Sequence, residues 1–313
     1  MEIFHDWRNL PEHARGASVA LGNFDGVHVG HAKVVRAAHA ARPGAKLAVL
    51  TFEPHPRAYF RPQDSAFRLT LSAERADALA ALGVEIIYEL PFDAAFSHLT
   101  GEQFCAEVLH EGLGAAQVAC GADFAFGHRR SGDVALLTRR AEAFGIGLSV
   151  VPHLADAQGP ISSTRIRRLL QEGYPERAAE LLGRRYSIRG PVEHGDARGR
   201  TIGFPTANVP LGAHLEPARG VYAVLARLPD GRVIPGVANV GRRPTVAEGA
   251  ISRLEAHLFD FTEDLYGQVL SVALHRFIRA ERKFDSFDAL RAQIVADAAH
   301  ARGLLDPWGG LSA

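Results

Sequence analysis

Residues 21–31 read LGNFDGVHVGH, and this stretch decides the fold of the first half of the chain. Just before it, Ser18, Val19, Ala20 and Leu21 form a short apolar run of the kind that makes a buried strand. Gly22 and Gly26 break that run, and a helix is expected to open near Gly30 and to continue to about Ala41. A strand that passes through glycines into a helix N-terminus aims backbone N–H groups and the positive end of the helix dipole at one point, where a phosphate can sit. His28 and His31, three apart, share one face of the first turn, and each can donate a hydrogen bond to a phosphoryl oxygen. A zinc pair would need third and fourth ligands, and no Cys-x-x-Cys or His-Glu-x-x-His accompanies the two histidines.

Working outward, the strand Lys46–Phe52 ends in Glu53-Pro54-His55-Pro56-Arg57, expected to be a fixed loop at the strand's carboxyl end. His55 and Arg57 there either face a nucleotide or stand at the surface. A helix from Ser72, its N-cap, to Leu82, a strand Glu85–Leu90, a helix Gly101–Glu111 and a strand Gln117–Cys120 continue the alternation. Strands alternating with helices imply a parallel, Rossmann-like sheet with right-handed crossovers. The loop 121–132 follows a strand's carboxyl end with glycines, Phe124, Phe126 and the arginines Arg129 and Arg130, where a planar ring can stack and phosphates can be held. Phe124 and Phe126 also suit a hydrophobic staple for a long loop. After a helix from Asp133 to Phe144 and a strand Gly147–Val151, Ser162, Ser163 and Thr164 offer a helix N-cap, with Arg165 and Arg167 in its first turns. Cations at that end oppose the dipole, so an anion is expected to compensate them, and a triphosphate is the natural candidate.

From Tyr186 the texture changes to short alternating strands punctuated by Gly and Pro, which indicates an antiparallel barrel, and the domain boundary is placed at 183/184. Gly195, Gly199 and Gly203 permit close backbone approach to a phosphate, with Arg198 and Arg200 adding charge, although the stretch is not a Walker A loop. In the strand Arg253–Phe261, Leu254, Ala256 and Leu258 share one face, and Glu255 lies on the other, facing solvent or acting as a base in a mouth. Ser286 caps a final helix expected to run to about Asp297.

The 313 residues suffice for two domains, and 47% hydrophobic content argues against disorder. Lys plus Arg equals Asp plus Glu at 35 each, without the basic excess of a dedicated nucleic-acid binder. Cys105 and Cys120, the two cysteines, sit in apolar settings that suit a reducing compartment. No apolar run approaches membrane-spanning length, so a cytoplasmic chain without nucleic-acid or membrane partners is expected. Oligomeric state is not legible.

The string Gly22, Asn23, Phe24, Asp25, Gly26 followed by His28 and His31 resembles the nucleotidyltransferase signature of prokaryotic bifunctional riboflavin kinase/FAD synthetases. Ile161 to Arg167 is similar to the second signature of that superfamily, which clamps phosphates from the side opposite the histidines. Residues 121–127 resemble the family's Gly-x-(Asp/Asn)-Phe-x-Phe-Gly block near the flavin, with Asp123 at its polar position. Pro205-Thr206-Ala207-Asn208, Asn239 to Thr245 and the strand around Glu255 resemble the riboflavin kinase half.

The resemblance implies two reactions in series, phosphorylation of riboflavin by ATP and adenylylation of the resulting FMN to FAD. It implies His28, His31 and Arg165 as catalytic groups of the second step, with Gly22–Gly26, Ser162, Ser163, Thr164 and Arg167 on the nucleotide. It implies Glu255 as base of the first step, Thr206 and Asn208 on Mg²⁺, and Gly195, Gly199 and Gly203 on phosphate. Asp123, Phe124, Phe126 and Arg200 are the flavin candidates. The alternatives are an adenylyltransferase whose barrel only binds flavin, and an RNA-directed enzyme, which the neutral charge balance disfavours.

Overall fold

A computed structural model describes residues 1–194, 204–243 and 251–305, so Gly195, Arg198, Gly199, Arg200, Gly203, Pro244 and Thr245 lie outside the described residues. The chain divides into two compact units, residues 1–65 with 70–162, and residues 66–69 with 163–313.

The first unit is built on six parallel strands, β1 (Glu2–Phe4), β2 (Ser18–Leu21), β3 (Leu47–Glu53), β4 (Ile86–Pro91), β5 (Gln117–Gly121) and β6 (Gly147–Val151). Their spatial order is β1-β4-β3-β2-β5-β6. Alternate residues of single strands enter different cores. Val19, Leu21, Ala48, Leu50 and Val118 join one cluster, and Ala20, Leu47, Val49 and Ala119 the other. Both faces of the sheet are therefore covered, which is why its strands read as continuous apolar runs. The chain runs from β2 outward to β3 and β4, then returns to add β5 and β6 on the other side of β2. That reversal makes the carboxyl ends of β2 and β5 a topological switch point, the place where open parallel sheets bind ligands.

The helices of this unit are α1 (Val29–Ala41), α2 (Pro56–Phe60), α3 (Ser72–Ala80), α4 (Ala94–Ser97), α5 (Gly101–Gln103) and α6 (Val134–Ala143). The expected loop at 53–57 becomes α2 because Pro56 occupies its first turn, where no N–H is needed, and His55 Nδ1 caps the Arg57 N–H. Ser72 is the first residue of α3 rather than its cap, and its hydroxyl donates to Glu89 Oε1 at 2.5 Å. The helix expected at 101–111 starts as α5, capped by Thr100, and continues as a π-helix over Phe104–Gly112. A two-stranded ribbon, β7 (Ala155–Asp156) with β8 (Gly159–Pro160), follows the sheet.

The second unit holds α7 (Ser163–Gln171), α8 (Pro175–Leu182) and six strands, β9 (Ser187–Pro191), β10 (Ala207–Pro210), β11 (Gly220–Arg227), β12 (Val233–Arg243), β13 (Ile251–Leu258) and β14 (Val269–Ala280). The strands are antiparallel in the order β10-β13-β12-β11-β14-β9. The outer strands meet where the Glu193 N–H donates to Asn208 O at 2.9 Å, so the sheet curls nearly closed into a barrel. The last helix, α9 (Phe287–Leu305), extends well past Asp297 because Ala298, Ala301 and Leu305 bury against Val221, Ala223, Leu225 and Val237 of the barrel wall.

Candidate active sites

The loop that leaves β2 is held in one shape by contacts from far along the chain. Thr51 Oγ1 donates to Asn23 O at 3.0 Å, Thr70 Oγ1 accepts the Gly26 N–H at 2.9 Å, and Asp25 Oδ1 accepts the Thr70 N–H at 3.1 Å. These contacts maintain left-handed backbone at Phe24 (φ 50°) and Val27 (φ 39°), a conformation that a β-branched residue rarely adopts. Phe24 is fully buried with its ring 5.1 Å from that of His31, Asp25 is buried, and Asn23 is exposed. Phe24 and Asp25 thus shape the loop from beneath, and what the loop offers a ligand is its backbone and the two histidines.

His28 is the N-cap of α1. Its Nδ1 accepts the His31 N–H at 3.2 Å, and His31 Nδ1 accepts the His28 N–H at 3.3 Å. Backbone N–H groups only donate, so each Nδ1 presents a lone pair and each neutral ring carries its proton on Nε2. The two Nε2–H groups are donors beside a helix N-terminus, the end of a helix dipole that favours an anion. Gly30 permits this closeness, since a Cβ there would lie 3.0 Å from the His28 ring.

On the same carboxyl edge of the sheet as the histidine loop lies an aromatic pocket of about 150 Å³ lined by Phe60, Phe92, Phe96 and Phe104, with Arg129 and Arg130 on its wall. Its residues follow the carboxyl ends of β3, β4 and β5. Phe60 is 64% exposed, with its ring edge-on to Phe92 at 5.6 Å between centroids. Phe126 lies underneath, buried against Phe104 with ring centroids 5.1 Å apart, and Phe124 stacks on Phe126. Phe126 belongs to the core cluster and Phe124 packs against it, the staple role open to them in sequence. Asp123 is at the surface, 3.5 Å from His153 Nε2. Sequence analysis placed Arg129 and Arg130 in a loop suited to a ring and to phosphates, and missed Phe60, Phe92 and Phe96.

Behind the pocket, Arg75 is almost fully buried and binds Glu89 Oε1 at 2.6 Å, Glu53 Oε2 at 3.0 Å and Phe52 O at 3.3 Å. It ties together the carboxyl ends of β3 and β4. Burial pushes the Glu89 carboxyl up, but hydrogen bonds from Ser72 and Arg75 outweigh it and leave the group below the usual carboxylate range.

Ser162 belongs to the first unit, while Ser163, which opens α7, belongs with Thr164, Arg165 and Arg167 to the second. Thr164 is exposed, Arg165 is half-buried, and Arg167 donates from Nε to Phe67 O at 2.8 Å.

In the barrel, a cleft of about 200 Å³ is lined by Thr206, Asn208, Ala256, Glu263, Asp264 and Tyr266, among others. Asn208 Nδ2 donates to Thr206 O at 3.4 Å, which commits the amide N–H side and leaves Oδ1 as the acceptor of that side chain. A threonine hydroxyl and an amide oxygen are hard, neutral donors of the type Mg²⁺ accepts, so these residues fit a cation that brings its own phosphate ligands. Glu255 does not line that cleft. It stands directly opposite Asn208 across β10–β13 and opposite Asn239 across β12–β13, so the three share one face of the wall. Among the described residues, no group of three or more His, Cys, Asp or Glu side chains is placed to hold a metal, and no helix is long and apolar enough to cross a membrane.

Comparison with known proteins matches both halves. A family model described as FAD synthetase matches residues 10–165, and one described as riboflavin kinase matches residues 182–305. A bifunctional riboflavin kinase/FMN adenylyltransferase of Escherichia coli K12 is 39% identical, covering 98% of this chain and 100% of its own length. The protein of that name from Bacillus subtilis 168 is 37% identical, covering 96% of both chains. Among solved structures, a crystal structure described as a macrolide-efflux protein from Streptococcus pneumoniae superposes with a TM-score of 0.85 at 34% identity, covering 96% of this chain and 98% of that one. With this similarity running through both units, the chain belongs to the bifunctional riboflavin kinase/FMN adenylyltransferase family.

Proposed function

We propose that the chain makes FAD from riboflavin in two ATP-dependent steps, with residues 1–183 adenylylating FMN and residues 184–313 phosphorylating riboflavin. The family matches over 10–165 and 182–305 support that division. The observation that carries the adenylyl step is that the capped His28–His31 loop and the aromatic pocket share one carboxyl edge of the parallel sheet. One receives polyphosphate and the other the edge of a planar ring.

The FMN phosphate is anionic at neutral pH and attacks the α-phosphorus of ATP without a base. The task left to the protein is to stabilise charge on the transferring group and on the departing pyrophosphate. His28 and His31 donate from Nε2, the backbone of Gly22 to Gly26 cradles the nucleotide, and Ser162, Ser163, Thr164, Arg165 and Arg167 act on its phosphates. Phe124 and Phe126 support the ring pocket, and Asp123 lies at its outer loop.

In the barrel, Glu255 accepts the proton of the ribityl 5′-hydroxyl as it attacks the γ-phosphorus. Thr206 and Asn208 hold Mg²⁺ with ATP, which when bound neutralises phosphate charge. Gly195, Gly199, Gly203 and Arg200 remain assigned to phosphate and flavin by resemblance, on residues outside those described. We place the protein in the cytoplasm, and its two buried free thiols support a reducing compartment.

The test is chromatographic. Pure protein with riboflavin, ATP and Mg²⁺ should produce FMN first and then FAD. FMN without FAD, including when FMN is supplied, would remove the adenylyl half of the proposal. FAD from FMN with no turnover of riboflavin would remove the kinase half.

A further inference from the structure

The loop after β5 carries two adjacent arginines that the first unit does not use to hold itself together. Arg129 (φ 51°) and Arg130 (φ 59°) both lie in the left-handed region, which is disfavoured for residues with a Cβ. The surroundings enforce it. The His128 N–H donates to Leu99 O at 2.6 Å, His128 Nδ1 lies 3.0 Å from Ser97 O, and Ser131 Oγ accepts the Gly101 N–H at 3.0 Å. Three glycines let the backbones cross. A Cβ on Gly127 would meet Gly101 N at 2.4 Å, one on Gly101 would meet Gly132 Cα at 2.7 Å, and one on Gly132 would meet the Phe126 ring at 2.5 Å.

The product of this construction is a pair of exposed guanidinium groups on the wall of the aromatic pocket. Among the described residues, neither makes a hydrogen bond or ion pair through its side chain, and the neighbouring Asp133 is committed to capping α6. Strain maintained at a pocket, with charge left unpaired, points to a ligand. Two like charges side by side call for a group carrying close to two negative charges, which is the charge of a phosphate monoester at neutral pH. The phenyl rings of the pocket cannot tell FMN from riboflavin, because the two share the same ring system.

We propose that Arg129 and Arg130 make the adenylyl site selective for the phosphorylated flavin by binding the FMN 5′-phosphate. This rests on the adenylyl activity proposed above. The pair also offsets the repulsion between that phosphate and the triphosphate it must approach.

The experiment uses the full chain and follows FAD formation from FMN and MgATP, with lumiflavin, a ring without a phosphate or ribityl chain, as competitive inhibitor. Asparagine tolerates left-handed backbone, so R129N and R130N remove charge with little added strain. The double variant should raise KM for FMN roughly 10- to 100-fold, with the Ki of lumiflavin within about twofold of wild type. Riboflavin phosphorylation by the same preparations reports whether the variant is folded. For the wild-type protein, KM for FMN should rise with ionic strength while the Ki of lumiflavin stays level, a measurement that needs no variant. An unchanged KM, a Ki that rises in step with it, or a KM indifferent to salt would each overturn the assignment. If wild-type protein forms no FAD from FMN, the adenylyl reading itself falls. If it does and the variants match it, only the role of the arginines falls.

Discussion

The rings of His28 and His31 lie face to face, with centroids 3.6 Å apart and planes 13° from parallel. Each ring accepts the other residue's backbone N–H, so the stack and the α1 cap are a single construction. Its consequence is a fixed tautomer. Two-bond ¹H–¹⁵N spectra at neutral pH should show both rings protonated on Nε2, and Nδ1–H signals would refute the donor assignment.

Substitution can separate the cap from the chemistry. Asparagine is a good N-cap, so His28→Asn should retain most of the stability of α1, whereas His28→Ala should lose about 1 kcal/mol in denaturant titration. Both should lower FAD formation from FMN by roughly 10² to 10³-fold, since each loses a donor to the transferring phosphate. A His28→Asn protein with wild-type FAD synthesis would show that the ring serves only as a cap.

Glu255 stands opposite both Asn208 and Asn239, with a polar side chain on each neighbouring strand. Glu255→Gln preserves shape and hydrogen-bonding capacity but removes the proton acceptor. FMN formation from riboflavin should fall by roughly 10² to 10⁴-fold, while FAD formation from supplied FMN stays within twofold. Equal loss in both assays would mark Glu255 as structural.

What was legible in the sequence was local. A strand that ends in glycine and feeds a helix is written in a dozen consecutive residues, and the hydroxyl run from Ser162 into the first turn of α7 is equally local. The period-two pattern of β13 placed Glu255 away from Leu254 and Ala256 without any structure. What could not be read depends on residues distant in sequence. Asp25 and Gly26 are anchored by Thr70, 45 and 44 positions on, and no local pattern announces that partnership. The aromatic pocket draws on segments following three strands, so its members become neighbours only when the sheet forms. Phe124 and Phe126 look equally like ring-stacking and core residues in sequence, because an aromatic side chain serves both purposes.

Cys105 and Cys120 are buried, and burial pushes their thiols up to about 12 and about 11. The thiolate is the nucleophile, so at pH 8 both should resist iodoacetamide in the folded protein and be alkylated fully in guanidinium chloride. Mass spectrometry of the two samples checks this. Rapid labelling without unfolding would mean that the helix holding Cys105 or the strand holding Cys120 opens far more often than the packing implies.

Arg75 bridges Glu53 and Glu89 from inside the first unit, and its charge decides how that unit responds to acid. The Glu89 carboxyl titrates below its unfolded value, because hydrogen bonds from Ser72 and Arg75 outweigh the effect of burial. A group depressed in this way contributes stability that is fully present above its unfolded pKa and is lost as pH falls through the folded one. From pH 7 to pH 5, therefore, Glu89 should leave the wild-type unfolding temperature nearly unchanged, with loss setting in below about pH 4.5. Ser72→Ala weakens the depression, so its deficit relative to wild type, about 1 kcal/mol at pH 7, should shrink as both proteins are acidified. Arg75→Met goes further. With the cation gone, burial is left to dominate at Glu89, and the sign reverses, since a carboxyl titrating above its unfolded value stabilises the protein when protonated. That variant should lose about 3–5 kcal/mol at pH 7 and recover part of it on acidification to pH 5, where wild type gains nothing. Thermal melts at half-unit pH steps decide the matter. Parallel curves for wild type and Arg75→Met would mean that Glu89 is held by something other than this arginine.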